Sequence, residues 1–440
     1  MKIGYLTFGR DDFGYGLALC LDRIKDHEIY RVSPKTAKYV DVLLFSCFWW
    51  EHIYLLADFL RKAGIKKSDS DRPRIIVGGF NTFNPVPFQA YADTVVCGDG
   101  EEILESVLNG EDPGLIWRNV SQVHSLPLPG HNTTRIELAR GCRFKCKFCS
   151  VAHLKPYREV SIDEIKKCLD QVKTKKVTLF APDPTLYSKN EELNKYCHEI
   201  GLTRNDTDVR FTSLDKYNGS SLPHIGLEGF SERQRKLVGK QISNELFTTK
   251  MIEVIQHGVM KGVLFYVILD LPGEKEDDFL ELREALIKIG KTPGAEKFTM
   301  IFSPNMFMPM PHTGMEMYGI NYEKNYKDIW IKFFGRGKER DWAFLMAEKT
   351  RIFKPGSRIL SMLSVRGGEE FIQIQTELSA KKIINISGDR LSCRSEKELI
   401  RVLQKYGGSE RYCGPRFPED DNPWKRLIFN GERSRTRESL

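Results

Sequence analysis

The sequence predicts an α/β protein in three parts. A doubly wound layer spans residues 1–110, a linker 111–133, a partial (β/α)6 barrel 134–320, and a small α+β C-terminal domain 321–440. Three observations carry this prediction. Strand-like and helix-like stretches alternate through the first 110 residues, and the same rhythm resumes for six units after a proline-rich break. A Cys142-x3-Cys146-x2-Cys149 run then stands directly after the first strand of the second array. Strands separated by helices favour parallel sheets, which present ligands at the carboxyl ends of their strands.

In the first part, Lys2 to Phe8 reads as a strand, followed by a Gly-rich turn at Phe13-Gly-Tyr-Gly16 and a helix to Ile24. Val40 to Ser46 reads as a buried strand, Ile53 to Ala63 as a helix ended by Gly64, and Arg74 to Val77 as a strand closed by Gly78-Gly79. Val95 to Cys97 is a last short strand, and Gly98-Asp-Gly-Glu-Glu102 opens another helix. Pro113, Pro127, Pro129 and Gly130 break any continuous element, which gives the linker.

In the second part the strands are expected at Thr134 to Ala139, Lys176 to Ala181, Asp208 to Thr212, His224 to Phe230, Val263 to Asp270 and Lys297 to Phe302. Ser161 with Glu164 forms a capping-box pattern ahead of one helix, and Ser243 and Gly258 bracket another. Beyond residue 321 the chain turns aromatic and basic (Trp330, Phe333, Phe334, Trp342, Phe344). Two strands are expected there, Phe371 to Thr376 and Lys382 to Ser387, with a polar, disordered tail from Asn430.

The chain of 440 residues has room for roughly two to four domains. Its 41% hydrophobic and 29% charged residues, with a mean hydropathy of -0.38, describe a globular chain. The longest nearly apolar run, Val40 to Trp50, is too short for a bilayer, and the first residues carry no apolar leader core. A cytoplasmic location and no membrane partner are therefore expected. The net charge of +8 is compatible with a polyanion, including nucleic acid, but is spread thinly over the chain. Arg61 to Lys67 and Arg433 to Arg437 read as solvated surface.

Three of the ten cysteines fall within eight residues, in Arg140-Gly-Cys-Arg-Phe-Lys-Cys-Lys-Phe-Cys149, as metal ligands do. The others (Cys20, Cys47, Cys97, Cys168, Cys197, Cys393, Cys413) read as small buried hydrophobes. Arg143, Lys145 and Lys147, interleaved with the three, make a poor core segment. Three thiolates on one loop can hold three irons of a four-iron cluster and leave the fourth open, whereas an electron-transfer cluster takes four cysteines. A structural zinc site needs a fourth ligand, for which His153 is the nearest histidine; a surface or substrate-side role fits it equally.

This loop, placed after the first strand of a βα array, resembles the radical S-adenosylmethionine (radical SAM) superfamily. The resemblance implies a partial TIM barrel and a [4Fe-4S] cluster on Cys142, Cys146 and Cys149, with SAM chelated to the open iron and cleaved to a 5′-deoxyadenosyl radical. It places Phe148 near the adenine. Ala181-Pro-Asp-Pro184 stands where the family commonly has a Gly-Gly-Glu-type motif, and lacking its glycines leaves Pro182 and Asp183 as candidate contacts. Ile225-Gly-Leu-Glu-Gly-Phe-Ser231 resembles a G-x-E-x-x-S pattern, which makes Glu228 and Ser231 polar contacts to SAM; the plain alternative is a helix cap and a surface ion pair. Val267-Ile-Leu-Asp-Leu-Pro-Gly-Glu274 resembles the motif that packs the adenine, with Gly273 as contact or simple turn.

The N-terminal layer resembles the cobalamin (B12)-binding Rossmann-like domain of class B radical SAM enzymes, through Phe45-Ser46, Val77-Gly78-Gly79 and Val96 to Glu102. The resemblance implies that Ser46, Gly78 and Gly79 approach the corrin and its nucleotide tail. The D-x-H-x-x-G histidine of that domain is absent between Arg10 and Gly16. Either cobalamin binds without a protein axial ligand, or the layer has kept the fold and lost the cofactor. The segment Phe302 to Thr313, rich in methionine, resembles the substrate-side stretch after the sixth strand.

The expected function is a radical SAM enzyme, a cobalamin-dependent methyltransferase or a related radical rearrangement, reduced by a flavodoxin or ferredoxin. The alternatives are a cobalamin-free enzyme modifying RNA or a peptide, methylthiotransferases included, and a non-catalytic metal-binding module. A methylthiotransferase would need further cluster cysteines, for which Cys20, Cys47 and Cys97 are the candidates.

Overall fold

The computed structural model describes residues 1–425 apart from 8–13, 112–113, 131, 218, 220–221, 259, 335–344, 349–354, 388–389 and 418. Phe13 of the Gly-rich turn, the Arg10 to Asp12 stretch before it, Trp342, Phe344 and the tail from Asn430 lie outside the described residues.

The N-terminal layer is one parallel sheet of β1 (Lys2–Thr7), β2 (Glu28–Arg31), β3 (Val42–Ser46), β4 (Arg74–Gly78), β5 (Thr94–Gly98) and β6 (Leu115–Asn119), in spatial order 2-1-3-4-5-6. The order reverses between β1 and β3, and ligands of such sheets bind outside the carboxyl ends at that switch. β3 pairs in register with both neighbours, Leu44 opposite Tyr5 and Ile76. Alternation sets its two faces: Leu43 and Phe45 pack toward the helix His52–Ala63, Val42 and Leu44 toward Leu104 and Leu108. Gly64 ends that helix in a left-handed cap with φ +63°.

Residues 115–119, expected within a linker, form the edge strand β6 of this sheet. A short strand paired on one side gives little sequence signal, and Pro113 and Pro127 flank it. β2 is likewise an edge strand that the sequence reading passed over.

The second array begins with β7 (Leu128–Gly130), antiparallel to β8 (Thr133–Glu137), followed by the short pair β9 (Ala139–Arg140) and β10 (Arg158–Glu159). The parallel staves continue through β11 (Lys176–Phe180), β12 (Thr203–Arg204), β13 (Asp208–Val209), β14 (His224–Glu228), β15 (Gly262–Leu269), β16 (Thr299–Met306) and β17 (Leu345–Glu348). β12 and β13 are the two halves of the third stave. Between them Asp206 takes the place of backbone, its carboxylate accepting from Leu179 N at 2.8 Å. The Ser161 hydroxyl accepts from Glu164 N at 3.3 Å, but the Glu164 carboxylate accepts from Ser125 N instead of closing the box. Ser243 and Gly258 cap Asn244–His257 as expected.

The C-terminal residues pack on both earlier parts of the chain. The helix Tyr326–Phe334 buries Trp330, Phe333 and Phe334 on the barrel. The helix Pro355–Arg366 instead enters the N-terminal core: Tyr54 Oη donates to Leu360 O at 2.9 Å, and Ile359, Leu360 and Leu363 are fully buried there. Each such side chain contributes roughly 1.5–3 kcal/mol, so this helix is part of the layer it covers. Phe371–Ala380 is a helix, not the expected strand. Its Phe-Ile-Gln-Ile-Gln-Thr start alternates like a strand, but Phe371, Ile374, Gln375 and Leu378 are buried at helical spacing. The second expected strand is β18 (Ile384–Ser387), which forms a hairpin with β19 (Arg390–Cys393). Among the described residues, no helix is long and apolar enough to cross a membrane.

Candidate active site between the two layers

The cysteine loop grows from the carboxyl end of β8. Leu138 N continues the ladder to Phe180 O at 2.9 Å; then the chain turns so that β9 pairs with β10 and closes residues 141–157 into a loop with a narrow neck. Gly141 makes the neck possible: it has φ +78°, and a Cβ there would lie 2.1 Å from Pro156 O. Inside the loop, Cys149 N donates to Cys146 O at 3.1 Å, and Lys145 Nζ donates to Ala152 O at 2.8 Å. From outside, Val238 O accepts from Lys147 N at 3.0 Å, and Gly239 lets its backbone lie against Cys146.

Cys142, Cys146 and Cys149 are free thiols on one turn, and burial pushes the Cys149 thiol up, with Cys146 and Cys142 adding to the rise. The thiols do not close on a common point; among the described residues no group of three or more His, Cys, Asp and Glu does. His153 Nε2 donates to the Cys146 carbonyl at 3.1 Å, so this nitrogen serves the loop's own fold and not a zinc site. The donor set nevertheless suits an iron-sulfur cluster. Three soft thiols stand with Arg143, Lys145 and Lys147 exposed between them. The Arg210 guanidinium adds a further cation, 3.9 Å from the Cys146 sulfur.

The other predicted contacts divide. Glu228 reaches this side of the barrel. It ends β14 with φ +68°, and its buried carboxylate lies 3.4 Å from Lys240 Nζ. Burial pushes its carboxyl above the usual range, against the pull of Lys240 and Arg210. The pair is largely shielded, with 8% of the Lys240 and 13% of the Glu228 side chain exposed, and is not the surface pair that was the plain alternative. Phe148 packs against Val238, Ile268, Leu271, Phe307 and Met315, where the loop meets the carboxyl ends of β15 and β16. Pro182 is exposed on the cavity described below.

Three residues are engaged elsewhere. Ser231 caps its helix, accepting from Gln234 N at 3.1 Å while donating to Asp278. Asp183 accepts from Thr185 Oγ1 at 2.6 Å and Arg210 N at 3.2 Å, a turn cap. Gly273 is a left-handed turn at φ +68° whose carbonyl accepts from Arg233.

The carboxyl ends of both parallel arrays face one cavity of about 1620 Å³. The N-terminal layer lines it with Ser46, Gly78, Gly79 and Gly98, the barrel with Glu137, Ala181, Pro182 and Met306, and the cysteine loop with Gly141 and Val151. Ligand pockets for one drug-sized molecule run to about 1,000 Å³, so this space suits more than one large ligand. Gly79, at φ +107°, brings its backbone against Cys47, where a Cβ would lie 2.7 Å from the carbonyl oxygen. Phe48 and Trp49 stand half exposed at the rim, 4.9 Å apart edge to face. The His52 imidazole also lines the wall, with Nδ1 accepting from Phe48 N at 3.0 Å. That bond leaves the proton on Nε2, a donor and not a metal ligand.

An ionic cluster joins the layers at the loop neck. Arg140 reaches Glu137 of the barrel at 2.7 Å, and Asp99 and Glu101 of the N-terminal layer at 3.0 and 2.5 Å. Asp99 also receives Lys155 at 3.0 Å and Arg158 at 2.8 Å. Arg210 and Val238-Gly239 have no motif of their own, and the Val96 to Glu102 resemblance gives Asp99 no partner in the barrel, so sequence reasoning missed their roles.

Comparison with known proteins agrees with this layout. Residues 136–286 match the model of the Radical SAM superfamily, and 24–112 that of the N-terminal region of radical SAM proteins. An uncharacterised protein of Methanocaldococcus jannaschii is 25% identical over 303 residues, covering 67% of this chain and 62% of that one. A tRNA-2-methylthio-N(6)-dimethylallyladenosine synthase of Akkermansia muciniphila is 26% identical over 191 residues, 37% of this chain and 41% of that one. The solved structure of the cobalamin-dependent SAM radical enzyme OxsB, with aqua-cobalamin and SAM bound, shares the fold at TM-score 0.51 and 13% identity, covering 92% of this chain and 66% of that one. This chain therefore spans less than two thirds of the length of each of these proteins.

Proposed function

We propose that this chain, which carries the radical SAM domain, is a radical SAM enzyme working on a substrate in the interlayer cavity, with cobalamin on the N-terminal layer and methyl transfer or a related radical rearrangement as its reaction. The single observation that carries the reading is the cavity itself, in which the cysteine loop and both sets of strand ends meet. The family's [4Fe-4S] cluster and SAM supply a hydrogen-abstracting radical when bound.

The chain's own residues do the rest. Cys142, Cys146 and Cys149 offer the thiolate ligands, and Arg210 offsets their negative charge. Phe148 and its apolar neighbours give an adenine a dry surface, and Glu228 offers a carboxylate to SAM. Ser46, Gly78 and Gly79 leave room for a corrin, consistent with the fold shared with a cobalamin-dependent enzyme. An external reductant of the flavodoxin or ferredoxin kind supplies the electron. A methylthiotransferase reading has two curated relatives behind it, the Akkermansia synthase and a ribosomal protein uS12 methylthiotransferase of Clostridium tetani, 24% identical over 176 residues. However, Cys47 and Cys97 are buried in the sheet core and gather with Cys20 into no ligand group among the described residues.

The test is anaerobic reconstitution with iron, sulfide and hydroxocobalamin, followed by desalting. The wild type should retain stoichiometric corrin, and Ser46→Phe should lose the corrin while keeping its iron. A wild type that forms a cluster and retains no corrin would remove cobalamin from the reading.

A further inference from the structure

The neck of the cysteine loop places two arginines opposite each other, since Arg140 and Arg158 are cross-strand partners in the β9·β10 pair. Like charges directly opposite one another on a two-stranded ribbon push it apart. The carboxylate that offsets them comes from the other layer. Asp99 Oδ1 lies 3.0 Å from Arg140 on the entry strand and accepts from Lys155 at 3.0 Å on the exit side. Asp99 Oδ2 accepts from Arg158 at 2.8 Å and from Ser121 N at 3.2 Å. Its side chain is only 1% exposed, so these bonds are shielded from water and salt.

We propose that Asp99 is a positioning residue for the cysteine loop: the N-terminal layer holds the neck of the loop closed and so sets the placement of the three thiols. Two features support this. Gly98, at φ +130°, lets the chain turn against Asn119, whose Nδ2 donates to Asp99 O at 2.6 Å, so the Asp99 backbone is itself fixed. The three cations also hold the Asp99 carboxyl well below its usual range, against the effect of burial, so it stays ionised. Glu101 and Glu137 complete the set of charged groups facing Arg140. The consequence for catalysis rests on the cluster reading above; the closure of the neck does not.

The test uses the full-length apo protein, so it does not depend on whether a cluster binds. Iodoacetamide labelling read by mass spectrometry compares Cys142, Cys146 and Cys149 with the core thiols Cys168 and Cys197. Asp99→Asn should raise labelling of the loop cysteines about tenfold or more by local opening, with the core thiols still protected. Arg158→Gln, which removes one of the two exit-side links and leaves Lys155 on Asp99, should raise it in the same direction by less. The inference is overturned if the loop cysteines of both variants react at the wild-type rate, or if loop and core cysteines become reactive together in both.

Discussion

The guanidinium of Arg210 lies 3.4 Å from the centre of the Phe144 ring, which holds it beside the Cys146 sulfur, 3.9 Å away. A cation on a ring face in a part-buried site is fixed by both partners. A fixed positive charge next to a cluster favours its reduced, more negative state.

Arg210→Gln should therefore shift the reduction potential of the reconstituted cluster to a more negative value, on the order of tens of millivolts. A redox titration followed by electron paramagnetic resonance measures this. A potential unchanged from wild type would place Arg210 outside the electrostatic reach of the cluster.

Asn84 ties the N-terminal layer to the C-terminal helix Pro355–Arg366, its Nδ2 donating to Val365 O at 3.0 Å and Gly367 O at 2.9 Å. Asn84→Ala leaves two buried carbonyls short of a donor, at a cost of about 1–3 kcal/mol. In urea, the transition that reports the N-terminal sheet should move to lower concentration together with the helical signal of residues 355–413. A C-terminal transition that moves alone would mean the two are separate units.

Glu274 is buried beside Asp270 and 3.4 Å from Lys324, and burial pushes its carboxyl up to about 7 from 4.5. The folded state thus favours the protonated form. The stabilisation this gives is complete below the unfolded pKa and is lost as pH rises through about 7. Wild-type stability should fall between pH 5 and pH 8 by up to about 3 kcal/mol from this group, and Glu274→Gln should flatten that slope. Denaturant midpoints at the two pH values measure it, and equal slopes would contradict the assignment.

Elements with their own local signal were read correctly from sequence. The strand Val42–Ser46 is a run of buried apolar residues, and the helix His52–Ala63 ends at a glycine that needs a left-handed conformation. The cysteine spacing likewise marks one loop. What escaped depends on distant partners. Asp99 owes its role to Arg140, Lys155 and Arg158 in the other array, and Arg210 to Phe144. Phe371–Ala380 alternates like a strand and becomes a helix because the N-terminal core takes one helical face of it. For Ser231 the sequence left a cofactor contact and a helix cap open, and its hydroxyl caps the helix Glu232–Leu237.

The most direct test of the central claim is the yield of 5′-deoxyadenosine from SAM by the anaerobically reconstituted protein with dithionite. The account predicts reductive cleavage by the wild type and, in Cys142→Ala, Cys146→Ala and Cys149→Ala, loss of both the product and the cluster iron. Wild-type protein that carries a full cluster and makes no 5′-deoxyadenosine, or cysteine variants that make as much as wild type, would contradict it.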